Sequence, residues 1–455
     1  MLTIVARSRF KKMRSLGLSG AITLIAMLAA SGCAENPPSS KTVPPAVKNV
    51  SSSEDSKQDQ AAPAAAPATE LASASNAPAT SDAPHPLTDE ELNAGWISLF
   101  DGKTLFGWTP GSKANWEVKD GVIEVSGGEK GLLCTSVRFS DYVLKVDFKF
   151  AKKTNSGIFL HTPLVAKDAG KDCYELNIAE PSVSPFPTGS FVKRQKSEVA
   201  AAGEAAPDEW HSYEITVQGD KVNVKLDGQS VLDYTDPAPL RRGHIGLQYN
   251  EGKVEFRNIK LQPLGLASLF NGKDLSGWKE PADSKSKFTV TSEGWLNVQN
   301  GKGYLESEAE FGDFVVQLEC ISNAKHLNSG LFFRCIPGEP MNGYESQIQN
   351  GFKNGNRTKP MDCGTGGIFR RVDARLVVPD DLKWFHKTIV ADGPHVSVWV
   401  NGYQVTDWTD DRAPDVNPRK GLRTAPGTLQ LQGHDPTTNL SFRNLRGVEF
   451  APRSE

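Results

Sequence analysis

The chain contains 455 residues, which is enough for two or three domains that each bury a core of their own. Its 51 lysines and arginines against 54 aspartates and glutamates give a formal net charge of −3. This balance argues against a nucleic-acid partner, because such a partner requires a basic face or stripe. The hydrophobic fraction of 38% is that of soluble globular material diluted by a less apolar segment.

The first 33 residues have the pattern of a lipoprotein signal peptide. Basic residues precede an apolar stretch, LGLSGAITLIAMLAASG, which is shorter than the ~20 residues that a membrane span requires. The stretch ends in LAASGC, which resembles the bacterial lipobox, where the cysteine is acylated. We therefore predict lipidation at Cys33, contact with the membrane only through that anchor, and a location in the cell envelope facing the periplasm or the exterior. A plain secretory signal and an uncleaved anchor are the alternatives.

Residues 34–85 are rich in alanine, proline and serine and poor in large apolar side chains. Such a segment buries too little surface to offset the entropy lost on ordering. We predict a disordered linker, which is either a tether between membrane and folded part or a spacer without any further role.

Five cysteines follow Cys33. Export permits disulfides, but the number is odd, and the spacing of a zinc site is absent. One or two disulfides are compatible with the sequence, which does not indicate a pairing.

Most of the remaining chain is an internal repeat. LFDGKTLFGW begins at Leu99, LFNGKDLSGW begins at Leu269, and seven of their ten positions are identical. NSGIFLH and NSGLFFR, YELNI and YESQI, and the final LQ…FRN segments recur in the same order. The repeat predicts two tandem domains, residues 86–264 and 265–455.

Within each copy, apolar and polar residues alternate with a period of two, as in DYVLKVDFKF. KVNVKLDG and HVSVWVNG end in Asp-Gly and Asn-Gly, which are strong hairpin signals. Only LTDEELNAG indicates a helix, with Thr88 and Glu91 as a capping box. Many short strands separated by turns predict an all-β protein of two β-sandwiches, and a closed barrel is the less favoured alternative.

These motifs in combination resemble the 3-keto-disaccharide hydrolase domain family, twice over. The resemblance implies a concanavalin-like jelly-roll sandwich and a hydrolase or lyase acting on glycosides already oxidised to a ketone at carbon 3. In such a sugar the ketone acidifies the proton on C2, so a base can remove it, and the C1 substituent then leaves. The site needs a base, an electrophile for the ketone oxygen and partners for the hydroxyls.

Strand parity selects candidates in the second copy. Asn328, Phe332 and Arg334 share one face of their strand, and Glu345, Gln347 and Gln349 share a face of the next. His434, in LQLQGHD, stands where the family resemblance implies the histidine of LQDHG. We predict Glu345 or His434 as base or metal ligand, Arg334 as a clamp for the oxyanion or a hydroxyl, and Gln347 and Asn328 as sugar contacts. Arg334, Glu345 and His434 should then converge in one pocket. A divalent metal is a candidate cofactor, and the carbohydrate substrate is the expected partner. The alternative is a solvated face without a catalytic role.

The first copy departs from this pattern. His161 stands at the position of Arg334, Asn177 at that of Gln347 and Asn250 at that of His434, whereas Glu175 remains. Glu175 and His161 are therefore the predicted substrate contacts of the first domain. This domain is degenerate, sugar-binding or purely structural, or else it contains a second active site.

Several other features have structural explanations. Trp108 and Trp278 could stack on sugars, but tryptophans next to a turn more often cover the core. The Arg-Asn pairs at 257–258 and 443–444 favour a structural role because both copies keep them. The glycine-rich segment 350–369 lacks P-loop spacing and is predicted to be a long loop that borders the concave face.

Two other classes of function compete with the enzyme. One is a lectin-like binding protein without turnover, and the other is a surface protein that merely presents loops. Exposed aromatics along one strand face would favour the binding protein, whereas Glu345, Arg334 and His434 favour the enzyme.

Overall fold

The computed structural model describes residues 86–198 and 205–450. The predicted signal peptide, with Cys33, and the predicted linker lie outside these residues. Within the described part, no helix has both the length and the apolar character needed to cross a membrane.

A short helix, α1 (Asp89–Ala94), precedes the first sandwich. The Thr88 hydroxyl accepts from the Glu91 amide at 3.2 Å, and the Glu91 carboxylate accepts from the Thr88 amide at 3.0 Å. Gly95 ends the helix with φ 87°, a conformation that glycine adopts without steric cost. The predicted capping box is confirmed.

The first domain contains thirteen strands within the described residues: β1 (Ile97–Ser98), β2 (Trp108–Pro110), β3 (Glu117–Lys119), β4 (Val122–Val125), β5 (Gly131–Thr135), β6 (Tyr142–Phe150), β7 (Asn155–Thr162), β8 (Tyr174–Ala179), β9 (His211–Gln218), β10 (Lys221–Leu226), β11 (Gln229–Thr235), β12 (His244–Tyr249) and β13 (Val254–Pro263). They form an antiparallel sheet of order β11-β10-β9-β6-β13-β4-β3, with β1 beside β13, and a five-stranded sheet β2-β5-β12-β7-β8.

The second domain repeats this plan with β14 (Ala267–Ser268), β15 (Trp278–Lys279), β16 (Lys287–Val290), β17 (Leu296–Gln299), β18 (Gly303–Phe311), β19 (Phe314–Ser322), β20 (Ser329–Cys335), β21 (Tyr344–Ile348), β22 (Trp384–Asp392), β23 (His395–Val400), β24 (Tyr403–Thr409), β25 (Gly427–Gly433) and β26 (Asn439–Glu449), and a 3-10 turn at Lys353–Gly355. Its sheets are β16-β17-β26-β19-β22-β23-β24, with β14 beside β26, and β15-β18-β25-β20-β21. The predicted fold, two tandem β-sandwiches, is confirmed.

Local sequence accounts for these strands. In β6, Tyr142, Leu144 and Val146 are almost fully buried between the sheets, while Lys145 is exposed. The hairpin residues Asp227 and Asn401 adopt φ 47° and 46°, as the Asp-Gly and Asn-Gly turns require. Apolar alternation and turn residues therefore act together to specify the sandwich.

The repeated tryptophans and Arg-Asn pairs have structural roles. The indoles of Trp108 and Trp278 are buried and donate to the carbonyls of Leu99 and Leu269, so neither tryptophan offers a ring for sugar stacking. Arg443 and Asn444 both donate to Glu319, and Arg257 and Asn258 both donate to Asp147. None of the five cysteines in the described residues forms a disulfide.

A β-bulge changes the face on which Arg334 lies. Between Phe332 and Cys335, three steps along β20 face two steps along β25, and Arg334 itself has φ 49°. One extra residue reverses the side to which a strand residue points. The prediction that Arg334 shares the face of Asn328 and Phe332 is therefore wrong.

Arg334 is instead enclosed in the protein. Its guanidinium donates to the carbonyls of Gly312 (2.8 Å) and Gly393 (2.7 Å) and to Asp313 (2.9 Å), and 1% of the residue is exposed. His161 in the first copy also has φ 49°, and its ring nitrogens lie 2.6 and 2.7 Å from the carbonyl oxygens of Leu240 and Ser140. The predicted equivalence of His161 and Arg334 holds, but both side chains are buried where a sugar has no access.

The two sandwiches contact each other directly. Val315, Val390 and Phe450 of the second domain belong to the same apolar cluster as the core of the first. The Trp399 indole donates to the Ser98 carbonyl at 2.9 Å, and Arg138 Nε lies 2.8 Å from the Asp392 carboxylate. A shared apolar cluster and polar bonds thus join the domains.

Candidate active site

The outer surface of the second five-stranded sheet carries a row of polar side chains. Glu345 on β21 pairs with Phe332 on β20, which in turn pairs with Gln430 on β25. Successive residues of a strand point to opposite sides of the sheet. The neighbours of these three residues along each strand therefore fill the core, while the three residues themselves point outward. We call this surface the polar face; it is formed by Glu306, Phe332, Glu345, Gln347, Gln430 and Gln432.

A cavity of about 160 Å³ lies at the β21 edge of the polar face. Phe332 and Glu345 line it from the sheet. The first part of the connection between β21 and β22, residues 349–375, which we call the site loop, contributes Phe369–Arg371, and the loop after β24 contributes Arg419. The glycine-rich segment 350–369 borders this cavity, since Phe369 lies at its end.

Glu345 is the carboxyl group of this cavity. Burial raises the pKa of Glu345 to about 7, against the lowering effect of Arg419 and with a further raising effect from Asp362. Only 7% of the residue is exposed. A carboxyl group that titrates near neutral pH is suited to take and return a proton.

Cationic groups surround this carboxyl. Arg419 Nε donates to the Met341 carbonyl at 3.1 Å, and its guanidinium lies 5.9 Å from the Phe332 ring. The Arg370 guanidinium lies 5.2 Å from the Phe369 ring. Within the described ranges, neither of these arginines nor Arg371 has a carboxylate within 4.0 Å, so their charges are available to an anion forming in the cavity.

Two of the predicted sugar contacts come together beside the cavity. The amides of Asn328 and Gln347 both donate to Asp362, at 2.7 and 2.9 Å. Gln347 Oε1 is buried and has no hydrogen-bond partner. Leaving a buried acceptor without a donor costs free energy, and a hydroxyl group that donates to this oxygen removes that cost.

Lys387 lies beneath Glu345 in the core. Its ammonium donates to the carbonyls of Ser346 and Gln347 at 2.7 and 2.9 Å, and burial lowers the pKa of Lys387 to about 7. The lysine therefore braces the backbone of β21 that carries the site residues.

His434 does not join Glu345. It follows the end of β25, four residues beyond Gln430. At about 3.3 Å per strand residue, His434 lies roughly 13 Å from Gln430 along the strand. Its Nδ1 contacts Asp435 at 2.8 Å, and the side chain is 42% exposed. The prediction that Arg334, Glu345 and His434 converge in one pocket is wrong.

The residues at the cavity do not fit a divalent metal. Glu345 is flanked by guanidinium groups, which repel a cation, and His434 lies too far away to share an ion with it. No cluster of three histidine, cysteine or carboxylate side chains suited to an ion occurs among residues 86–198 and 205–450. Glu345 and His434 are therefore not a metal-ligand pair.

Comparison with known proteins gives the family. The sequence profile of the 3-keto-alpha-glucoside-1,2-lyase-like domain matches residues 95–262 and again 265–446, which together make up most of the chain. The chain belongs to this family. Both sandwiches are thus 3-keto-alpha-glucoside-1,2-lyase-like domains, and the predicted tandem resemblance is confirmed.

Individual relatives are more distant. A 3-keto-disaccharide hydrolase of Bacteroides thetaiotaomicron is 27% identical over 228 residues, covering 37% of this chain and 79% of that protein. A solved structure from Parabacteroides distasonis, provisionally named a glycosyl hydrolase, is 22% identical, with a TM-score of 0.35, 39% coverage of this chain and 98% of that one. A carbohydrate-binding module of Bacillus subtilis matches at 17% identity and a TM-score of 0.26, over 34% of this chain and 94% of the module.

The first lyase-like domain keeps the carboxyl group with one cationic neighbour, Lys193, which is itself paired with Asp168 at 3.1 Å. Glu175 pairs with Phe159 as Glu345 pairs with Phe332, and it accepts from Gln248 at 3.1 Å. Burial raises the pKa of Glu175. The loop that follows β11 spans residues 236–243, whereas its counterpart after β24 spans 410–426, and Arg419 belongs to this longer loop.

Sequence reasoning missed Asp362, Arg370, Arg371 and Arg419. All four lie on loops, where no periodicity indicates the direction of a side chain. One available signal is that the loop carrying Arg419 is longer in the second copy than its counterpart in the first.

Proposed function

We propose that the second domain cleaves glycosides that carry a ketone at carbon 3 of the sugar. The observation that carries this proposal is Glu345, a buried carboxyl group with a pKa of about 7 in a cavity walled by arginines without carboxylate partners. Membership of the lyase-like family and the name of the Bacteroides relative support the same substrate class.

The proposed reaction is an elimination followed by hydration. Ionised Glu345 removes the proton from C2, and the electron pair of that bond moves toward the C3 ketone, whose oxygen becomes an enolate stabilised by Arg419 and Arg370. The enolate then collapses, the C1–C2 double bond forms, and the bond from C1 to the leaving oxygen breaks. That oxygen takes up a proton, which Glu345 can return. Water then adds across C1–C2, with hydroxyl at C1 and hydrogen at C2, so the net change is hydrolysis.

Substrate binding fits the neighbouring groups. The unpartnered Gln347 Oε1 accepts from a sugar hydroxyl, and Asn328 and Asp362 hold that glutamine in place. The side chains of Phe332 and Phe369 supply apolar surface beside the charged groups. No step of this reaction uses Arg334 or His434.

The full-length protein is tested with an aryl 3-keto-β-glucoside and with its unoxidised parent. We expect release of the aryl alcohol from the ketone substrate only, uptake of solvent deuterium at C2, and no inhibition by EDTA. The rate should rise with pH and level off above about pH 7, because only the ionised carboxylate accepts the proton. Equal cleavage of the unoxidised glucoside would contradict the elimination, and tight binding without release would contradict the enzyme.

A binding role without turnover is the second candidate, and the first domain favours it. A cavity of about 340 Å³ lies on its five-stranded sheet, lined by Phe159, Leu132 and Tyr249 together with Gln248 and Lys130. Apolar rings beside amide and amino groups match the two kinds of surface of a sugar. In this proposal the first domain binds carbohydrate and the second cleaves it.

We also propose that the protein is exported and anchored by acylation of Cys33, on the basis of its N-terminal sequence. Expression with a labelled fatty acid should label the wild-type protein and place it in the membrane fraction. Cys33→Ala should abolish both, whereas Cys134→Ala, at a buried thiol, should change neither. Labelling that persists in Cys33→Ala would contradict the anchor.

A further inference from the structure

We propose that Asp101 of the first domain is a positioning residue for the site loop of the second domain. The proposal rests on the function proposed for that loop. In this proposal the opening motif of the first domain, LFDGKTLFGW, helps to hold the active site of the second domain in place.

The contact is made by Arg375, four residues after Arg371 on the site loop. Arg375 Nη1 lies 2.8 Å from Asp101 Oδ2 and 3.3 Å from the Thr104 hydroxyl. Its guanidinium stacks between two rings, 4.1 Å from the centre of Phe106 and 4.4 Å from that of Tyr403. Asp101, Thr104 and Phe106 belong to the first domain, so one side chain of the site loop is held by both domains.

Asp101 is itself held rigidly. Its Oδ1 accepts from the amides of Lys103 at 2.8 Å and Thr104 at 2.6 Å, and its side chain is 6% exposed. A preorganised, buried carboxylate opposite a stacked guanidinium is a much firmer contact than a pair of exposed charges. The ion pair therefore fixes the site loop at Arg375, and Asp101 needs no additional ordering to make this contact.

The contact continues to the cavity through the backbone. The amide of Arg375 donates to Val405 of β24 at 3.0 Å, and the amide of Ala374 donates to Cys363 at 2.8 Å. The tight turn from Ile368 to Val372, closed by two backbone bonds, carries Arg370 and Arg371. Arg370 is exposed and lines the cavity, so its place depends on how firmly this turn is held.

The repeat offers an internal comparison. Asn271 occupies the position of Asp101 in the second copy, and its Oδ1 accepts from the amides of Lys273 and Asp274 at 2.8 and 3.0 Å. Asparagine therefore supports the same turn, and it bonds locally to Asp274. The two copies therefore differ in charge at this position. The charged residue, Asp101, stands in the copy of the motif that contacts an arginine of the site loop.

The test compares Asp101→Asn with Arg138→Gln in the full-length protein. Both variants remove a cross-domain ion pair, but Arg138 bonds to Asp392, outside the site loop. Hydrogen–deuterium exchange of residues 365–375 should rise at least severalfold in Asp101→Asn and stay unchanged in Arg138→Gln. This readout does not depend on the substrate. It therefore separates failure of the positioning role of Asp101 from failure of the proposed function.

Activity completes the test. We expect Asp101→Asn to lower kcat/KM by about tenfold, because displaced groups lose much of their effect on the reacting atoms. The apparent pKa of the pH–rate profile should rise, since Arg370 lowers the pKa of Glu345. Asp101→Asn and Arg375→Gln should not be additive in the double variant. Unchanged exchange in Asp101→Asn, or raised exchange with unchanged kcat/KM and pH profile, would overturn the proposal.

Discussion

Replacing Glu345 by glutamine is expected to lower kcat/KM for a 3-keto-glycoside by a factor of about 100 to 10,000 at pH 8. Glutamine has nearly the same shape but cannot accept the C2 proton. The arginines that line the cavity remain in the variant, so binding of the sugar should weaken much less than turnover. Steady-state kinetics with the aryl 3-keto-β-glucoside measures both.

The same variant should not be less stable. The pKa of Glu345 is raised in the folded protein, so folding is favoured less as pH rises from the ordinary carboxyl value to about 7. Above that range, keeping the ionised carboxylate buried costs on the order of 3 kcal/mol. Glu345→Gln removes this cost, and its thermal midpoint at pH 8 should equal or exceed that of the wild type.

Glu175→Gln is the matched control, because Glu175 holds the same strand position in the first domain. It should leave kcat/KM unchanged. If Glu175→Gln abolishes release and Glu345→Gln does not, the active domain has been misassigned.

Replacing Arg334 by leucine is expected to destabilise the second domain by about 3 kcal/mol, with a fall of about 6–12 °C in its thermal midpoint. The substitution leaves the carbonyls of Gly312 and Gly393 without this donor in a buried setting. Asp313 keeps Arg242 at 2.9 Å, which limits the loss. Differential scanning calorimetry of the full-length protein measures the shift.

Arg370→Gln should behave in the opposite way. Arg370 is exposed and lines the cavity, so its loss should lower kcat/KM while the thermal midpoint stays within about 1 °C. An Arg334→Leu protein with unchanged thermal midpoint and lost activity would restore Arg334 as a group that acts on the substrate.

The sandwich fold and the place of Glu345 were accessible from sequence because both depend on local alternation. Tyr344 and Ile348 face the core, so Glu345 and Gln347 must face outward, and the structure agrees. The same reasoning failed at Arg334, where the bulge adds one residue to the strand. No residue type near Arg334 distinguishes a regular strand from a bulged one, since the register depends on pairing with β25.

The sequence by itself determined that one β-sandwich unit occurs twice, since period-two apolar patterns and Asp-Gly or Asn-Gly turns act over a few neighbouring residues. Only the tertiary structure decided which charges surround Glu345, because Arg370 and Arg419 reach it from loops that backbone contacts hold over the sheet. Only the tertiary structure, too, joined Asp101 to Arg375, since a contact between residues so far apart in the chain depends on how the two domains pack.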